Sequence, residues 1–341
     1  MKPIIEFHII QSFPVSCLNR DDVGSPKTVT IGGVPRIRVS SQCWKRAVRT
    51  KLHDLGITLG IRTKKVSEVL AEKLLEKTKT EQEALASEVA KTLTDDTLLY
   101  LSSSEYDKIV DCLVENKLNA KSSESSIKSA LKKLGATVYN GLDIALFGRM
   151  VAKASEMNVE AACSFSHAFT THKAIPELDF FSGLDDLREE NGGGHLGVSE
   201  YSSGTFYRYI SLDVGQLIET LGLEKKEDID YAISNFVKAL YLAVPSARQK
   251  TMAASSTWDF CRCYVRNGQP LQCVFDAPVK MENGGGYAAS SIKAMLDELN
   301  SKECRYGSLF NKKACIDFGE ETACKTIDDL IEKILEAVHH D

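Results

Sequence analysis

A chain of 341 residues, 43% of them hydrophobic and 26% charged, has the composition of a globular protein large enough for one elaborated domain or two. No run of eighteen apolar residues occurs, and the start MKPIIEFHII lacks a small-residue cleavage site, so neither a membrane span nor a signal peptide is expected. The formal net charge is −5, but residues 1–60 hold nine Lys/Arg against four Asp/Glu, which predicts an anionic partner at one surface rather than a protein that is basic throughout.

The chain opens with a predicted strand and continues into a long loop. Residues 3–11 carry apolar side chains at both alternating sets of positions, which predicts a central strand of a sheet. Residues 12–35 are rich in Ser, Pro, Asp and Gly, and a loop of this length is usually functional or disordered. Arg20 and Lys27 in this loop are candidate phosphate contacts, the alternative being a surface loop with internal ion pairs.

The next segment turns from a strand into a helix. Arg36 and Arg38 share one face of the strand, where each would grip phosphate or pair with acids of an adjacent subunit. Ser40 or Ser41 can cap the helix that the pattern predicts over about 41–55. Because a helix start also exposes unpaired N–H groups, this region is suited to a polyanion.

The two faces of this predicted helix differ in chemistry. At about 100° per residue, one face carries an amide and cations, namely Gln42, Lys45, Arg46, Arg49 and His53. The opposite face is built to pack, with Trp44, Ala47, Val48, Leu52 and Leu55. The polar face predicts contacts to a phosphate backbone, and the alternative is a solvated face on a surface helix.

The rest of the chain predicts a mixed fold. Residues 62–135 are mostly helical in character, with a cap expected at Ser122 and Ser123, and residues 183–204 read as a second flexible insert because of their glycines. Later strands are expected at 205–213, 258–266 and 271–276, and helices at about 226–242, 288–300 and 326–339. This order is compatible with an α+β, ferredoxin-like core interrupted by insertions.

Two pairs of residues, one of histidines and one of cysteines, are candidate metal ligands. His167 and His172 would lie about 140° apart on a helix, so structural histidines are favoured over a shared metal. Cys261 and Cys263 would share one face of a strand, but ten cysteines without a CxxC pair favour free, mostly buried thiols over a zinc site. Free thiols indicate a reducing cytoplasm.

Aromatic residues near the second insert have two interpretations. These residues are Tyr201, Phe206, Tyr207 and Tyr209. They would either stack on RNA bases, as in sheets that bind single-stranded RNA, or pack in the hydrophobic core. The core is the more common fate of such residues.

Several segments resemble one family in order and spacing. They are SCLNRDD at 16–22, RIRVSSQ at 36–42, KRA at 45–47, GLDIALFGRM at 141–150, SHAFTTH at 166–172, HLG at 195–197, SSGTFYRY at 202–209 and VPSARQKT at 244–251. Together they resemble the CasC-type backbone subunits of type I-E CRISPR Cascade complexes, which belong to the RAMP superfamily. The resemblance covers residues 1–58 and 138–256 well and the remainder only in general character.

The resemblance implies a particular architecture. The family has an RRM-like palm, which is ferredoxin-like, with an inserted helical fingers domain and a flexible thumb loop. Mapped onto this chain, the palm corresponds to residues 1–58 and 205–341, the fingers to 59–182 and the thumb to 183–204.

The resemblance also implies a function. The chain would be a non-catalytic subunit without a cofactor or metal, repeated head to tail along CRISPR RNA in the cytoplasm. Its partners would be CRISPR RNA, target DNA through the guide, further copies of itself and other Cascade subunits, with no membrane. Expected RNA-binding residues are Arg20, Lys27, Arg38, Ser40, Ser41, Gln42, Lys45, Arg46, Arg49, Arg248 and Lys250, and expected thumb residues are His195, Leu196, Gly197, Ser202 and Ser203.

Two points depart from this picture. Related subunits of type III complexes cleave RNA with an acidic loop residue, so a metal-dependent ribonuclease using Asp21 or Asp22 is the alternative function, although adjacent carboxylates share a metal poorly. The family places a bulky apolar wedge of the fingers near a displaced nucleotide. The matching residues 161–163 here are the smaller Ala-Ala-Cys, and Phe165 is a candidate for the wedge that the sequence leaves open.

Overall fold

The computed structural model describes residues 2–94, 97–151, 153–184, 193–281 and 285–340. The chain folds into two compact units. The helix-rich unit consists of Met1–Lys2, Arg49–Ser164 and Leu212–Ala239, and the sheet unit consists of Pro3–Val48, Phe165–Ser211 and Leu240–Asp341. The helix-rich unit thus differs in extent from the predicted fingers at 59–182.

Strands and helices are interspersed along the chain. The strands are β1 (Ile4–Ser16), β2 (Thr28–Ile31), β3 (Val34–Val39), β4 (Ile61–Thr63), β5 (Leu99–Leu101), β6 (Cys163–Phe165), β7 (Ala168–Thr170), β8 (Glu177–Leu184), β9 (Gly193–Asp213), β10 (Phe260–Arg266) and β11 (Lys312–Phe318). The helices are α1 (Ser41–Asp54), α2 (Val66–Thr78), α3 (Glu83–Leu93), α4 (Ser103–Glu115), α5 (Ala120–Ala130), α6 (Leu142–Phe147), α7 (Val214–Leu221), α8 (Lys226–Leu242), α9 (Gln249–Met252), α10 (Ala288–Tyr306) and α11 (Ile327–His339).

A large sheet with antiparallel pairing organises the fold. Its order is β11-β10-β1-β9-β7-β3-β2, and β6 and β8 also pair with β9. Strand β1 lies inside this order and is buried on both faces from Ile4 to Ile10, so its prediction as a central strand is confirmed. The large sheet and the many helices confirm the α+β class.

The predicted loop over 12–35 is wrong, because it contains a hairpin. Strand β1 continues to Ser16, and β2 pairs with β3 in register from Thr28↔Ile37 to Ile31↔Val34. Gly32 and Gly33 form the two-residue turn, with φ of 58° and 75°. Positive φ at both turn residues matches the right-handed twist of the flanking strands.

The helix-rich unit encloses its own apolar core. Helices α2 to α5 bury side chains such as Leu70, Val89 and Ile109 against one another. Helix α4 begins with a capping box of Ser102 and Glu105. The cap predicted at Ser122 and Ser123 is wrong: α5 begins at Ala120, because Asn119 accepts a bond from the Ser122 N–H.

The predicted strand at 271–276 is also wrong. Side chains of the sheet, rather than a neighbouring strand, bind the backbone of this segment. The N–H of Leu271 donates to Glu6 Oε1 at 2.6 Å, and the N–H of Cys273 donates to the Tyr207 hydroxyl at 2.9 Å. The segment therefore lies across one face of the sheet, where Phe275 packs in the same buried cluster as Tyr207.

The remaining late elements agree with the sequence pattern. The predicted strands at 205–213 and 258–266 fall within or around β9 and β10, and the three predicted helices correspond to α8, α10 and α11. All ten cysteines are free and six are buried, which confirms the thiol prediction. In the described part of the chain, none of the helices has the length and apolar character that a membrane span requires.

Candidate nucleic-acid interface

Hydrogen bonds hold the start of helix α1 against the loop after β1. The buried Ser40 caps the helix, since its Oγ accepts the Cys43 N–H at 3.3 Å, which confirms the predicted cap. Its own N–H donates to Asn19 Oδ1 at 2.9 Å, and the Cys43 thiol donates to the Leu18 carbonyl at 3.6 Å. Asn19, which the sequence did not single out for this role, thereby sets where the helix begins.

Helix α1 has the two faces that its sequence predicts. Trp44, Val48 and Leu52 are buried, whereas Gln42 and Arg46 are exposed. Ser41 and Lys45 are half-buried, and the Lys45 Nζ lies 5.8 Å from the Phe165 ring centroid. The polar face therefore reaches solvent at the N-terminal end of the helix.

A buried arginine supports the packing face of α1. The Arg208 guanidinium lies 3.6 Å from the Trp44 ring centroid and donates to Gln11 Oε1 at 2.5 Å. Stacking of a cation on Trp is favourable, especially away from water. Arg208 is thus part of the support for α1 and is not available to a ligand.

Cations of the loop and of β3 lie beside the helix start. The N–H of Arg38 donates to the Lys27 carbonyl at 2.7 Å, and the N–H of Lys27 donates to the Asn19 carbonyl at 2.9 Å. Burial raises the pKa of the Cys43 thiol, and the positive charges of Arg46 and Lys27 oppose this rise. Both cations therefore lie near Cys43. The loop after β1, strand β3 and helix α1 therefore each place a positive charge near the start of α1.

A second group of cations surrounds Cys17. Burial raises the pKa of this thiol, and Arg248 and Arg20 oppose the rise. Arg248 is half-buried at the start of α9, with a buried Nε that has no hydrogen-bond partner among the described residues. Lys250 on the same short helix is exposed.

Two arginines of the predicted site serve the fold. Arg36 is fully buried and donates to the carbonyls of Thr170, Thr171 and Phe275 at 2.8–3.0 Å, so it does not face phosphate. Arg49 donates to Asp143 Oδ2 at 2.7 Å.

The surroundings of Arg49 account for its position. Asp143 is fully buried and also accepts bonds from the Gly60 N–H and the Tyr100 hydroxyl. Arg49 additionally donates to the Gly60 carbonyl at 2.5 Å. Its guanidinium therefore lies within the helix-rich unit, and the sequence could not show this because Asp143 is 94 positions away.

The acidic pair after Arg20 shapes its own loop. Asp21 Oδ1 accepts the N–H groups of Val23 and Ser25 at 3.0 and 2.9 Å. Within the described ranges, no group of three or more His, Cys, Asp or Glu side chains is arranged to hold a metal ion. The Asp21 carboxylate therefore has a local structural role.

The aromatic residues considered for base stacking belong mainly to the core. Phe206 and Tyr207 are fully buried, and Tyr209 is 5% exposed. The Tyr207 hydroxyl accepts from Cys273 and bonds to His8 Nδ1 at 2.9 Å. These side chains offer no ring face to RNA, and Tyr201 is the one of the four that is half-buried.

The two histidines of the SHAFTTH segment lie around β7, not on a helix. His172 is buried; its Nε2 accepts the Thr205 N–H at 3.1 Å, so its Nδ1 donates to the Lys173 carbonyl. This confirms a structural role for His172. His167 is exposed, and its Nδ1 lies 2.7 Å from Arg38 Nη1, a contact that the sequence analysis did not predict.

The predicted flexible thumb is, where described, a β-hairpin. Strand β8 pairs with the first part of β9, from Glu177↔Tyr201 to Leu184↔Gly193, so a loop assignment for 193–204 is wrong. His195 pairs with Gly183 and Gly197 with Phe181, while Ser202 is buried and Ser203 is exposed. Residues 185–192 of the predicted thumb lie outside the described residues.

One face of this hairpin is apolar and exposed. In the register, Phe180 faces Val198 and Ser182 faces Leu196, so these side chains share a face. The exposed fractions are 58% for Leu178, 74% for Phe180, 81% for Leu196 and 56% for Val198. Alternation at 178–180 and 196–198 was the signal for strands that the glycine content obscured.

Comparisons with known proteins show which family and which solved chains this chain resembles. A family model described as CT1975-like protein matches residues 5–338. A solved chain of a "CRISPR RNA-guided surveillance complex, pre-nicking" is 27% identical with a TM-score of 0.80, over 98% of this chain and 100% of that one. A chain of a "CRISPR RNA-guided surveillance complex" is 26% identical with a TM-score of 0.61, over 98% and 99%. No curated protein matches.

Proposed function

The chain belongs to the family of CT1975-like proteins, and on that basis we propose that it is a subunit of a CRISPR RNA-guided surveillance complex. More specifically, it is a CasC-type backbone subunit of a type I-E Cascade, with an RRM-like palm, and it binds CRISPR RNA in the cytoplasm without catalysing a reaction. Target DNA then pairs with the guide that the protein presents.

The observation that carries this proposal is the cluster of cations around the start of α1. Lys27, Arg38 and Lys45 reach solvent, and none of them has an ion-pair partner among the described residues. Cations without a carboxylate partner gain most from neutralising phosphates, because binding also releases counterions. Arg20, Arg46, Arg248 and Lys250 extend this positive surface.

The geometry favours contacts to the backbone of the RNA rather than to its bases. The N-terminal turn of α1 adds N–H groups and a partial positive charge next to these cations. The Ser41 hydroxyl and the Gln42 amide supply neutral hydrogen-bonding groups beside the cations. The buried rings of Tyr207 and Tyr209 provide no stacking platform.

The apolar hairpin face supports assembly of repeated copies. Leu178, Phe180, Leu196 and Val198 expose a contiguous apolar strip, which a soluble chain normally covers with a partner. We assign this strip to the next copy along the RNA. A head-to-tail contact of this kind does not close on itself, so RNA length and other subunits set the number of copies.

The alternative ribonuclease has less support. A metal-dependent cleavage needs several oxygen ligands, and Asp21 already accepts two backbone N–H groups. Incubation of the purified protein with labelled RNA and manganese or magnesium separates the two functions. Product from the wild type that is lost in Asp22→Ala would favour the enzyme.

Light scattering of the protein with RNAs of increasing length tests the proposal. The mass should grow in steps with RNA length, because each copy occupies a fixed stretch of backbone. A mass that ignores the RNA would contradict the backbone role. Sequencing of RNA that co-purifies with the protein should recover guides flanked by repeat sequence.

A further inference from the structure

His167 lies within the cation cluster and contacts one of its members. Its Nδ1 is 2.7 Å from Arg38 Nη1, and the Arg38 Nε–H donates to the Thr28 carbonyl at 3.4 Å. A guanidinium can only donate hydrogen bonds, so Nδ1 of His167 accepts. In the neutral ring the proton is therefore on Nε2. This side chain is exposed, and its Nε2–H can donate a hydrogen bond to a ligand.

The groups that act on His167 are positive. The part of the His167 ring that is shielded from water lowers its pKa, and Arg38 on β3 and Lys27 in the loop before β2 lower it further. Among the described residues, no carboxylate is one of the charges that act on this ring. The ring is therefore neutral at pH 7 in the free protein, where it can keep its bond to Arg38.

We propose that His167 is a further RNA-binding residue, which orients Arg38 in the free protein and donates from Nε2 to a phosphate of the bound RNA. This inference rests on the proposed function, since it assumes that phosphate enters the cluster. A phosphate there brings negative charge next to a ring whose charged neighbours, among the described residues, are Arg38 and Lys27.

The consequence is a coupling between RNA binding and proton uptake. A phosphate stabilises the charged ring, so it raises the pKa of His167 in the complex. A doubly protonated ring no longer accepts from Arg38, and both groups then donate to the RNA. Affinity should therefore rise as pH falls below neutral, by up to about tenfold per pH unit where the effect is steepest.

Two substitutions separate the orientation of Arg38 by residue 167 from the uptake of a proton by His167. His167→Asn keeps an oxygen close to the position of Nδ1, so it can still accept from Arg38, but it cannot take up a proton. His167→Ala removes both. His340→Asn is the matched control, because His340 is exposed near β11, at the other end of the sheet order.

The experiment measures fluorescence anisotropy of a labelled single-stranded RNA with the full-length protein at pH 6, 7 and 8 and constant salt. We expect the wild type and His340→Asn to bind several-fold more tightly at pH 6 than at pH 8. At pH 8 His167→Asn should bind less tightly than the wild type, because it lacks the Nε2 donor, but more tightly than His167→Ala, because it still orients Arg38. Neither variant should gain affinity at pH 6. Thermal melting should show that both His167 variants are folded.

The failure of this inference differs from failure of the proposed function. If affinity falls with salt and Arg38→Ala weakens it, but both His167 variants follow the wild type at each pH, the role of His167 is overturned alone. If the wild type shows no salt-dependent affinity for RNA, the cluster is not a phosphate site and both proposals are overturned.

Discussion

At the scale of single residues, the arginines differ in what their guanidinium groups already donate to. Arg149 pairs with the buried Glu105, Arg266 with the buried Glu6, and Arg49 with Asp143. Arg38, by contrast, donates to a carbonyl and a histidine, and no carboxylate of the described residues lies within ion-pair distance. Substitution should therefore cost stability in the first group and RNA affinity in the second.

Lys45 and Arg49, which share one face of α1, should respond differently to alanine. Lys45→Ala should weaken RNA binding regardless of sequence and lower the log–log salt slope by about 0.7, since one phosphate contact is lost. Arg49→Ala should instead lower the free energy of unfolding by about 3 kcal/mol, because it leaves the buried Asp143 without its cation. Anisotropy titrations at several salt concentrations and chemical denaturation measure the two effects.

The control is Lys313→Ala on the opposite edge strand β11, which should change neither quantity by much. An Arg49→Ala protein of wild-type stability with a reduced salt slope would return Arg49 to the RNA-binding face.

His8 makes the stability of the sheet unit sensitive to acid. Burial, with Lys302, Arg266 and Arg262 nearby, lowers the pKa of His8 to about 3. In the unfolded chain His8 binds a proton near pH 6.5, whereas in the folded chain it stays neutral until about pH 3. The free energy of unfolding therefore falls as the pH is lowered from 6.5 toward 3. The loss from this one group is about 1.4 kcal/mol per pH unit at its steepest.

His8→Asn removes this titration while keeping an acceptor for the Tyr207 hydroxyl. Denaturation at pH 7, 6 and 5 should show a smaller fall in the free energy of unfolding for the variant than for the wild type, even if the variant is less stable at pH 7. Equal slopes would mean that His8 is protonated in the folded protein.

At the scale of elements, what the sequence could predict depended on how local the determining contacts are. Helix α1 was predicted almost to its ends, because its cap at Ser40 and its two faces are local patterns. The β2–β3 hairpin was missed although its Gly-Gly turn is a strong local signal, because the surrounding residues have the composition of a loop. The path of 271–276 depends on Glu6 and Tyr207, which are distant in the sequence.

The two glycines of the β2–β3 turn should tolerate alanine to different degrees. Both have positive φ, which costs an L-residue about 1 kcal/mol or more. A Cβ on Gly32 would also lie 1.6 Å from the Asp276 carbonyl oxygen, whereas a Cβ on Gly33 would meet nothing within 4 Å. Gly32→Ala should therefore lower the melting temperature much more than Gly33→Ala, which serves as its matched control. Similar melting temperatures would mean that the 276 segment does not hold this turn.

At the scale of the whole molecule, the apolar strip on the β8–β9 hairpin should matter for assembly and little for folding. Phe180→Thr with Leu196→Thr keeps residues that favour strands but removes most of the exposed apolar surface. The free protein should keep its melting temperature, since these side chains are exposed. With RNA of increasing length, its mass by light scattering should no longer grow in steps.

Leu309→Thr is the control for this variant, because Leu309 is equally exposed, at 77%, but lies after α10 rather than on the hairpin. Stepwise growth in the hairpin variant would show that another surface joins the copies.

The segment at 271–276 closes the sheet face that holds Tyr207 and Tyr209. A protein that stacked bases on those rings would bind some sequences better than others, since purines and pyrimidines stack unequally. With the rings covered, the contacts that remain in our proposal are with the phosphates, which are identical in every RNA. One protein could then carry any guide in turn, and an organism that acquired a new guide would need no change in the protein that carries it.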